Sequence, residues 1–222
     1  DFFRRFWKHM FTFIFAATLA AAPMLHLFVT EPETFSSRSS AISVFSPEAN
    51  GGNLPGTLLK TFGLSLIKYN FVGDMNWRHN YPPYPVLDPI VGTFFLGGFL
   101  FSLSMFVRLL GRRVREGRRD IELPVHALLI FGFFTMLIPE FLTNEGLPHA
   151  LRSIGTQPFV FLFATIPLFF IYRRIGKTKG GTRFAIIAFM ALALAGSAAW
   201  NITKYFVFFK EHPKQHASFN AE

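Results

Sequence analysis

The residues of this 222-residue chain best suited to chemistry lie in a polar and aromatic run between Gly73 and Pro89. Arginine supplies a planar fork of donors for phosphate, and aromatic rings supply faces on which a sugar ring can stack. The run therefore predicts a sugar or phosphate site, with the alternative that its aromatic residues only anchor helix ends at a membrane interface. The candidate residues are Trp77, Arg78, His79, Asn80, Tyr81 and Tyr84.

A second polar run follows further along the chain and contains Pro148, His149 and Arg152. If Pro148 starts a helical turn, His149 and Arg152 lie on one face, because residues three apart are neighbours on a helix. Backbone N–H groups at that helix start and the two side chains would then bind an anion. The alternative is a capping turn with an arginine in the membrane interface.

The same positions also contain residue types that bind metals. His79 and His149 could join Asp74 or Glu145 at an ion, but no short ligand spacing supports such a site. The chain has no Cys, which excludes zinc–thiolate sites, disulfides and cysteine nucleophiles. We therefore assign no metal ligand and no firm cofactor, and leave a divalent metal open. A glycine-rich phosphate loop is also missing from the sequence.

The elements that must position these residues are long apolar segments. Hydrophobic residues make up 51% of the chain and charged residues 16%, against about 25% charged in soluble domains. A helix needs roughly 20 mostly apolar residues to cross a bilayer. The predicted fold class is therefore an all-α integral membrane protein with a single membrane domain over residues 1–222. Its five predicted transmembrane helices cover residues 10–29, 90–110, 123–142, 158–172 and 184–205.

The distribution of charge orients these helices. The segments 1–9, 108–122 and 173–183 carry 14 of the 22 lysines and arginines but only four acidic residues. The positive-inside rule makes these segments cytoplasmic, so the N-terminus is predicted inside and the C-terminus outside. The net charge of +9 then reflects membrane topology, and no nucleic-acid partner is expected. The predicted localisation is a multi-pass protein of the plasma membrane.

This topology leaves two outer loops, residues 30–88 and 143–157. Residues 31–53 are rich in Ser, Glu, Pro and Gly and are predicted to be irregular. Residues 54–72 have helical spacing, and this helix either rests in the membrane interface or packs on the bundle. Its apolar face comprises Leu58, Leu59, Phe62, Leu66 and Tyr69, with Lys60, Thr61, Ser65 and Lys68 lying away from that face.

The order of motifs along the outer loops resembles that of bacterial membrane glycosyltransferases of the C type. These are family 39-like enzymes, the relatives of dolichyl-phosphate-mannose protein mannosyltransferases and aminoarabinose transferases. The resemblance covers nearly the whole chain, as the C-terminal part of such an enzyme. The motifs that carry it are Phe35-Ser36-Ser37-Arg38, Gly73-Asp74-x-Asn76-Trp77-Arg78-His79-Asn80, Pro85-x-Leu87-Asp88-Pro89 and Pro148-His149-x-Leu151-Arg152.

The resemblance implies transfer of a sugar from a polyprenyl-phosphate carrier to an acceptor on the outer side of the membrane. Such enzymes invert the anomeric centre, use an Asp of the first outer loop as general base, and stabilise the departing phosphate with Arg and other donors. It implies that Arg152 and His149 lie near the carrier phosphate. Arg78, His79 and Asn80 match the donor-site motif, with Arg78 and His79 at the sugar or phosphate. Trp77, Tyr81 and Tyr84 are candidates for stacking on the sugar.

One departure from the family pattern concerns the general base. The family's catalytic Asp follows the first helix of the complete protein, and no matching segment is found here. Glu31 and Glu33 follow the first span, but their Pro-rich context corresponds to a later loop. We therefore expect a piece of a longer enzyme that supplies part of the donor site, lacks the base and is inactive alone.

The sequence is also compatible with two other classes of function. One is half of a transporter or flippase for a lipid-linked or anionic substrate, and the other is a non-catalytic membrane scaffold. Transporters place their binding residues near the middle of the membrane, on broken helices. The polar residues of this chain instead collect on one face of the membrane, which favours the enzyme.

Overall fold

The computed structural model describes residues 2–219, and these form a helical bundle. Ser43 and Thr143 make an isolated β-bridge, and no strand occurs in this part of the chain. A 3₁₀ turn, Leu151–Thr156, leads into α7, and a π-helical segment, Thr203–Phe209, continues α8. The helices are α1 (Phe2–Thr30), α2 (Pro32–Ile42), α3 (Pro47–Asn50), α4 (Leu54–Ile67), α5 (Pro89–Glu116), α6 (Glu122–Phe141), α7 (Gln157–Ile175), α8 (Gly180–Ile202) and α9 (Pro213–Phe219).

Five helical segments are long and apolar enough to cross a membrane, which confirms the predicted fold class. The chain is an all-α, multi-pass membrane protein, and each predicted span overlaps one of these segments. The short fourth prediction, 158–172, is extended at its N-terminal end by the 3₁₀ turn. The five segments are Phe3–Thr30, Pro89–Glu116, Glu122–Phe141, Leu151–Ile175 and Gly180–Phe209.

The core lies between α5, α6 and α7 and is built largely from phenylalanine. Phe95, Phe133 and Phe163 contribute one buried ring from each helix. Tyr69 reaches the same cluster from the loop after α4, with its ring 5.3 Å from that of Phe95. Offset and edge-on ring pairs of this kind stabilise beyond simple burial. The loop carrying the candidate residues is therefore anchored directly in the core.

α8 is joined to the bundle by polar contacts at the end opposite the basic turns. Asp88 caps α5 by accepting hydrogen bonds of 3.0 Å from the N–H groups of Ile90 and Val91. Its second oxygen accepts from Ser197 and Asn201 of α8, at 2.8 and 3.0 Å. One carboxylate thus holds two spans together beside the candidate site.

The prediction that residues 31–53 are irregular is wrong, because the segment contains α2 and α3. Pro32 begins α2 and Glu33 lies in its first turn. Proline is pre-organised for the first helical position, and an acidic side chain there complements the helix dipole. These local signals outweigh the Ser-rich composition that suggested a loop.

The helix predicted over residues 54–72 is confirmed as α4, although it ends at Ile67. It packs against α6, where the Thr61 hydroxyl donates a 2.7 Å hydrogen bond to the Phe141 carbonyl. Thr61 and Ser65 of α4, and Lys68 just after it, are buried, whereas Leu59 is 75% exposed. Of the two alternatives for this helix, packing on the bundle is therefore the one observed. Polar groups next to lipid lack partners, so they turn toward the protein interior.

Candidate functional site

The two polar runs singled out in the sequence meet at the buried carboxylate of Asp74. Its Oδ1 accepts a 2.7 Å hydrogen bond from the Asn76 N–H, which closes a local turn. Its Oδ2 accepts from the Ala150 N–H at 2.8 Å and lies 3.0 Å from Nδ1 of His79. A side chain with no exposed surface therefore links the loop before α5 to the loop before α7.

His79 and His149 lie side by side above this carboxylate, with ring centroids 4.9 Å apart. The backbone N–H of His149 donates to Oε1 of Glu140 at 2.9 Å, which fixes the start of its loop. Its Nδ1 is buried and has no hydrogen-bond partner within residues 2–219. Burial lowers the pKa of His149 below its usual 6.5, and the neighbouring Arg152 charge acts in the same direction.

A buried ion pair lies next to the site and contacts the loop that carries His149. Nζ of Lys68 contacts Oε2 of Glu140 and the hydroxyl of Ser153, and the lysine and glutamate side chains are 1% and 0% exposed. Burial lowers the pKa of Lys68, while the Glu140 charge opposes this shift. Beside the pair, the Tyr69 hydroxyl and Thr156 hydroxyl are 2.6 Å apart. Sequence analysis did not select Lys68, Glu140 or Ser153 as site residues.

His149 and Arg152 line one open cleft of about 430 Å³, together with Asn76 and Glu145. Nη2 of Arg152 pairs with Oε2 of Glu145 at 3.1 Å, and its Nη1 donates to the Thr143 hydroxyl at 2.9 Å. The predicted helical turn begins at Leu151, three residues after Pro148. The two side chains nevertheless face the same space.

Most of the other candidate residues lie away from this cleft. Trp77 stacks on His212 with a centroid separation of 4.1 Å, and Tyr84 packs edge-on against Trp200. Tyr81 packs between the Trp77 and Tyr84 rings at 5.5 and 5.4 Å. These contacts tie the loop to the C-terminal segment of the chain.

Arg78 and Asn80 also make structural contacts. Nε of Arg78 donates a 2.5 Å hydrogen bond to the Ser218 carbonyl in α9. The side chain of Asn80 is buried and donates to the carbonyls of Asp74 and Tyr84, at 3.1 and 2.7 Å. The structure thus brings His79, His149 and Arg152 together, directs Arg78 elsewhere, and uses Asn80 to shape the loop.

Comparison with protein-family models, with curated proteins and with solved structures gives no match. The chemistry of the chain is therefore argued from the site itself. The cleft presents Arg152 and His149, which can bind an anion. Beside it lie the carboxylate of Asp74 and the imidazoles of His79 and His149, which are groups that also serve as metal ligands.

Proposed function

We propose that this chain forms the donor-phosphate region of a membrane glycosyltransferase that takes a sugar from a polyprenyl-phosphate carrier. The observation that carries the proposal is the meeting of two motif blocks at Asp74, where His149 and Arg152 line one cleft. These are the blocks whose order resembles the C-type enzymes. Their convergence supports a common site for one ligand.

The cleft has the donors that a phosphate monoester or diester needs. Arg152 presents two guanidinium nitrogens, and such charge-assisted pairs are the strong hydrogen bonds of phosphate sites. The carboxylate partner of Arg152 is Glu145, whose side chain is 54% exposed, and the Thr143 hydroxyl accepts a further hydrogen bond from the arginine. Because this carboxylate is open to solvent, a phosphate in the cleft competes with it for Nη2 of Arg152.

In the proposed reaction the acceptor attacks the anomeric carbon of the sugar, and the bond from that carbon to the phosphate oxygen breaks. The electron pair remains on the departing polyprenyl phosphate, whose growing negative charge Arg152 stabilises. Asp74 is fully buried and already bonded to two N–H groups, which makes it a structural residue in this scheme. The proposal leaves the general base to a residue outside this chain, as the resemblance implies.

The membrane orientation belongs to the same proposal. The basic turns after α5 and α7 lie at one end of the bundle and the cleft lies at the other. By the positive-inside rule the cleft then faces outward from the cytoplasm, and we assign it to the outer face of a bacterial plasma membrane. A long-chain lipid carrier held in the bilayer would reach the cleft from the side.

Binding of polyprenyl phosphate to the chain in detergent micelles tests the proposal without a sugar or an acceptor. The matched ligand is polyprenol, which has the same chain and no phosphate. We expect polyprenyl phosphate to bind at least about tenfold more tightly, a difference of about 1.4 kcal/mol. Arg152→Ala should remove that preference, and Arg119→Ala, at the opposite end of the bundle, should keep it. Equal binding of the two lipids, or a preference that survives Arg152→Ala, contradicts the proposal.

A further inference from the structure

We propose that Asp74, His79 and His149 form a binding site for one divalent first-row transition-metal ion. One ligand atom of each residue lies within 4.8 Å of those of the other two. Two imidazoles and one carboxylate are a common ligand set for such ions, with further positions left for water or substrate. The inference does not rest on sugar transfer.

The first two ligands already have the spacing that a shared ion requires. Oδ2 of Asp74 lies 3.0 Å from Nδ1 of His79. Two ligand atoms, each about 2.1 Å from an ion, are separated by roughly 3.0 Å at an angle of about 90° and by roughly 3.4 Å at the tetrahedral angle of zinc, so the pair needs little movement to bind one. An ion at this point takes the place of the hydrogen bond between the carboxylate and the imidazole. The third ligand closes the site by a shift of the His149 ring toward the pair.

Asp74 is held in place by the backbone, so its orientation does not depend on the ion. The Asn76 N–H binds one oxygen and the Ala150 N–H binds the other, at 2.7 and 2.8 Å. A carboxylate oxygen has two lone pairs, so Oδ2 can accept the Ala150 hydrogen bond and still bind a cation. Hydrogen bonds of this kind to ligating carboxylates tune and orient metal sites.

His149 supplies an independent observation. Its Nδ1 is buried and lacks a hydrogen-bond partner in the described part of the chain. A buried polar atom without a partner is destabilising, so such atoms call for a specific explanation. Coordination of an ion by this nitrogen removes the cost. Because His149 also lines the cleft, the remaining coordination positions are open to it.

The charges around the site also favour a cation. The two nearest basic side chains are already compensated, Lys68 by Glu140 and Arg152 by Glu145. Within residues 2–219 the ion-pair partner of Asp74 is the imidazole of His79. With both imidazoles neutral, which is the form that binds a metal, the cluster carries the one negative charge of Asp74, and a divalent ion compensates it at a buried point.

Zinc titration of the tag-free chain in detergent micelles tests the inference. After treatment with a chelator, calorimetric titration with Zn²⁺ should show one ion bound per chain. His79→Ala and His149→Ala should each weaken binding by at least about tenfold, since each removes one ligand. His216→Ala, on the exposed side of α9, is the matched control and should leave the affinity unchanged.

A second measurement separates loss of a ligand from loss of the fold. Helicity by circular dichroism should be unchanged in both histidine variants, and Co²⁺ should give visible ligand-field bands in the wild type but not in His149→Ala. Absence of saturable Zn²⁺ binding, or equal binding in wild type and both histidine variants, overturns the inference. Since no lipid is present, this outcome is independent of the polyprenyl phosphate result for Arg152.

Discussion

The side chain of Lys68, just after α4, forms a buried ion pair with Glu140, near the end of α6. The second oxygen of Glu140 accepts the backbone N–H of His149, and Lys68 also contacts the hydroxyl of Ser153. One pair of charges thus joins two helices to the loop that carries the cleft. Because the pair compensates itself, it supports the site without contributing net charge to it.

This pair leads to a prediction for Glu140→Gln. Glutamine keeps an acceptor for the His149 N–H but leaves the Lys68 charge buried without its counter-ion. Breaking a buried pair costs about 3–5 kcal/mol, so we expect a fall of that order in the free energy of unfolding at pH 7. The double variant Lys68→Met with Glu140→Gln should recover most of the loss, because no buried charge remains.

The same variant has a predictable dependence on pH. Burial already lowers the pKa of Lys68 below 10.5, and removing the Glu140 charge lowers it further. In the window between the folded pKa and 10.5, the unfolded chain binds more protons than the folded chain, so the free energy of unfolding rises with pH. Denaturation in mixed micelles at pH 7 and pH 10 should therefore show a smaller defect at pH 10. An equal defect at both pH values would show that the loss of stability does not come from the buried charge of Lys68. The control variant is Glu145→Gln, whose side chain is exposed, and it should lower the free energy of unfolding by less than about 1 kcal/mol.

The spans of this fold are predictable from sequence, whereas the burial of α4 is not. A run of roughly 20 apolar residues has few alternatives to a membrane helix, so segments such as Pro89–Glu116 are recognisable by composition. Helical spacing identifies α4 but leaves open which side faces the protein. In water the apolar side of a helix packs inward. Next to lipid the polar side packs inward instead, because its polar groups find no hydrogen-bond partners among the lipid chains. Helical spacing therefore does not determine that Thr61, Ser65 and Lys68 are buried.

The candidate site is only partly predictable for a different reason. His79, His149 and Arg152 were selected by type and motif, and they do lie together. A metal site at Asp74 is not predictable from sequence spacing, because its partner His149 lies in another loop and no spacing rule joins them. Glu140 and Lys68 each lie beside apolar helical sequence, and an ionisable residue in such a context is a signal of function or pairing.

Trp77 provides a prediction that separates structural from ligand-binding roles. Its ring stacks on His212 and lies parallel to that of Phe209 with a centroid separation of 6.5 Å, so it holds the end of the π-helical segment and the residues just before α9. An aromatic pair contributes about 0.5–1.5 kcal/mol beyond burial. Trp77→Ala should therefore speed amide hydrogen exchange in residues 203–219 by up to about tenfold. Trp7→Ala, on the exposed surface of α1, is the control and should leave amide hydrogen exchange in residues 203–219 unchanged. If Trp77→Ala left amide hydrogen exchange unaltered but abolished sugar binding, the Trp77 ring would instead be a surface on which the sugar stacks.

Gly98 sets how closely α5 and α7 approach. A Cβ atom built on Gly98 would lie 1.8 Å from the carbonyl oxygen of Phe163, a backbone atom that no side-chain movement can displace. Small residues at such contacts allow membrane helices to pack closely. Gly98→Ala must therefore separate the helices and disturb the packing of Phe95 against Phe163. We expect a loss of about 1–3 kcal/mol in the free energy of unfolding, typical of an overpacked core.

The matched control for this prediction lies in the same helix. Gly111 of α5 has no atom within 4 Å of the position that a Cβ would occupy. Gly111→Ala adds the same methyl group to the same helix, and the better helix propensity of alanine should raise stability by up to ~1 kcal/mol. Unfolding of both variants in the same detergent should thus give shifts of opposite sign. Equal shifts would mean that α5 and α7 do not meet at Gly98, and the cleft at the end of these helices would then need a different support.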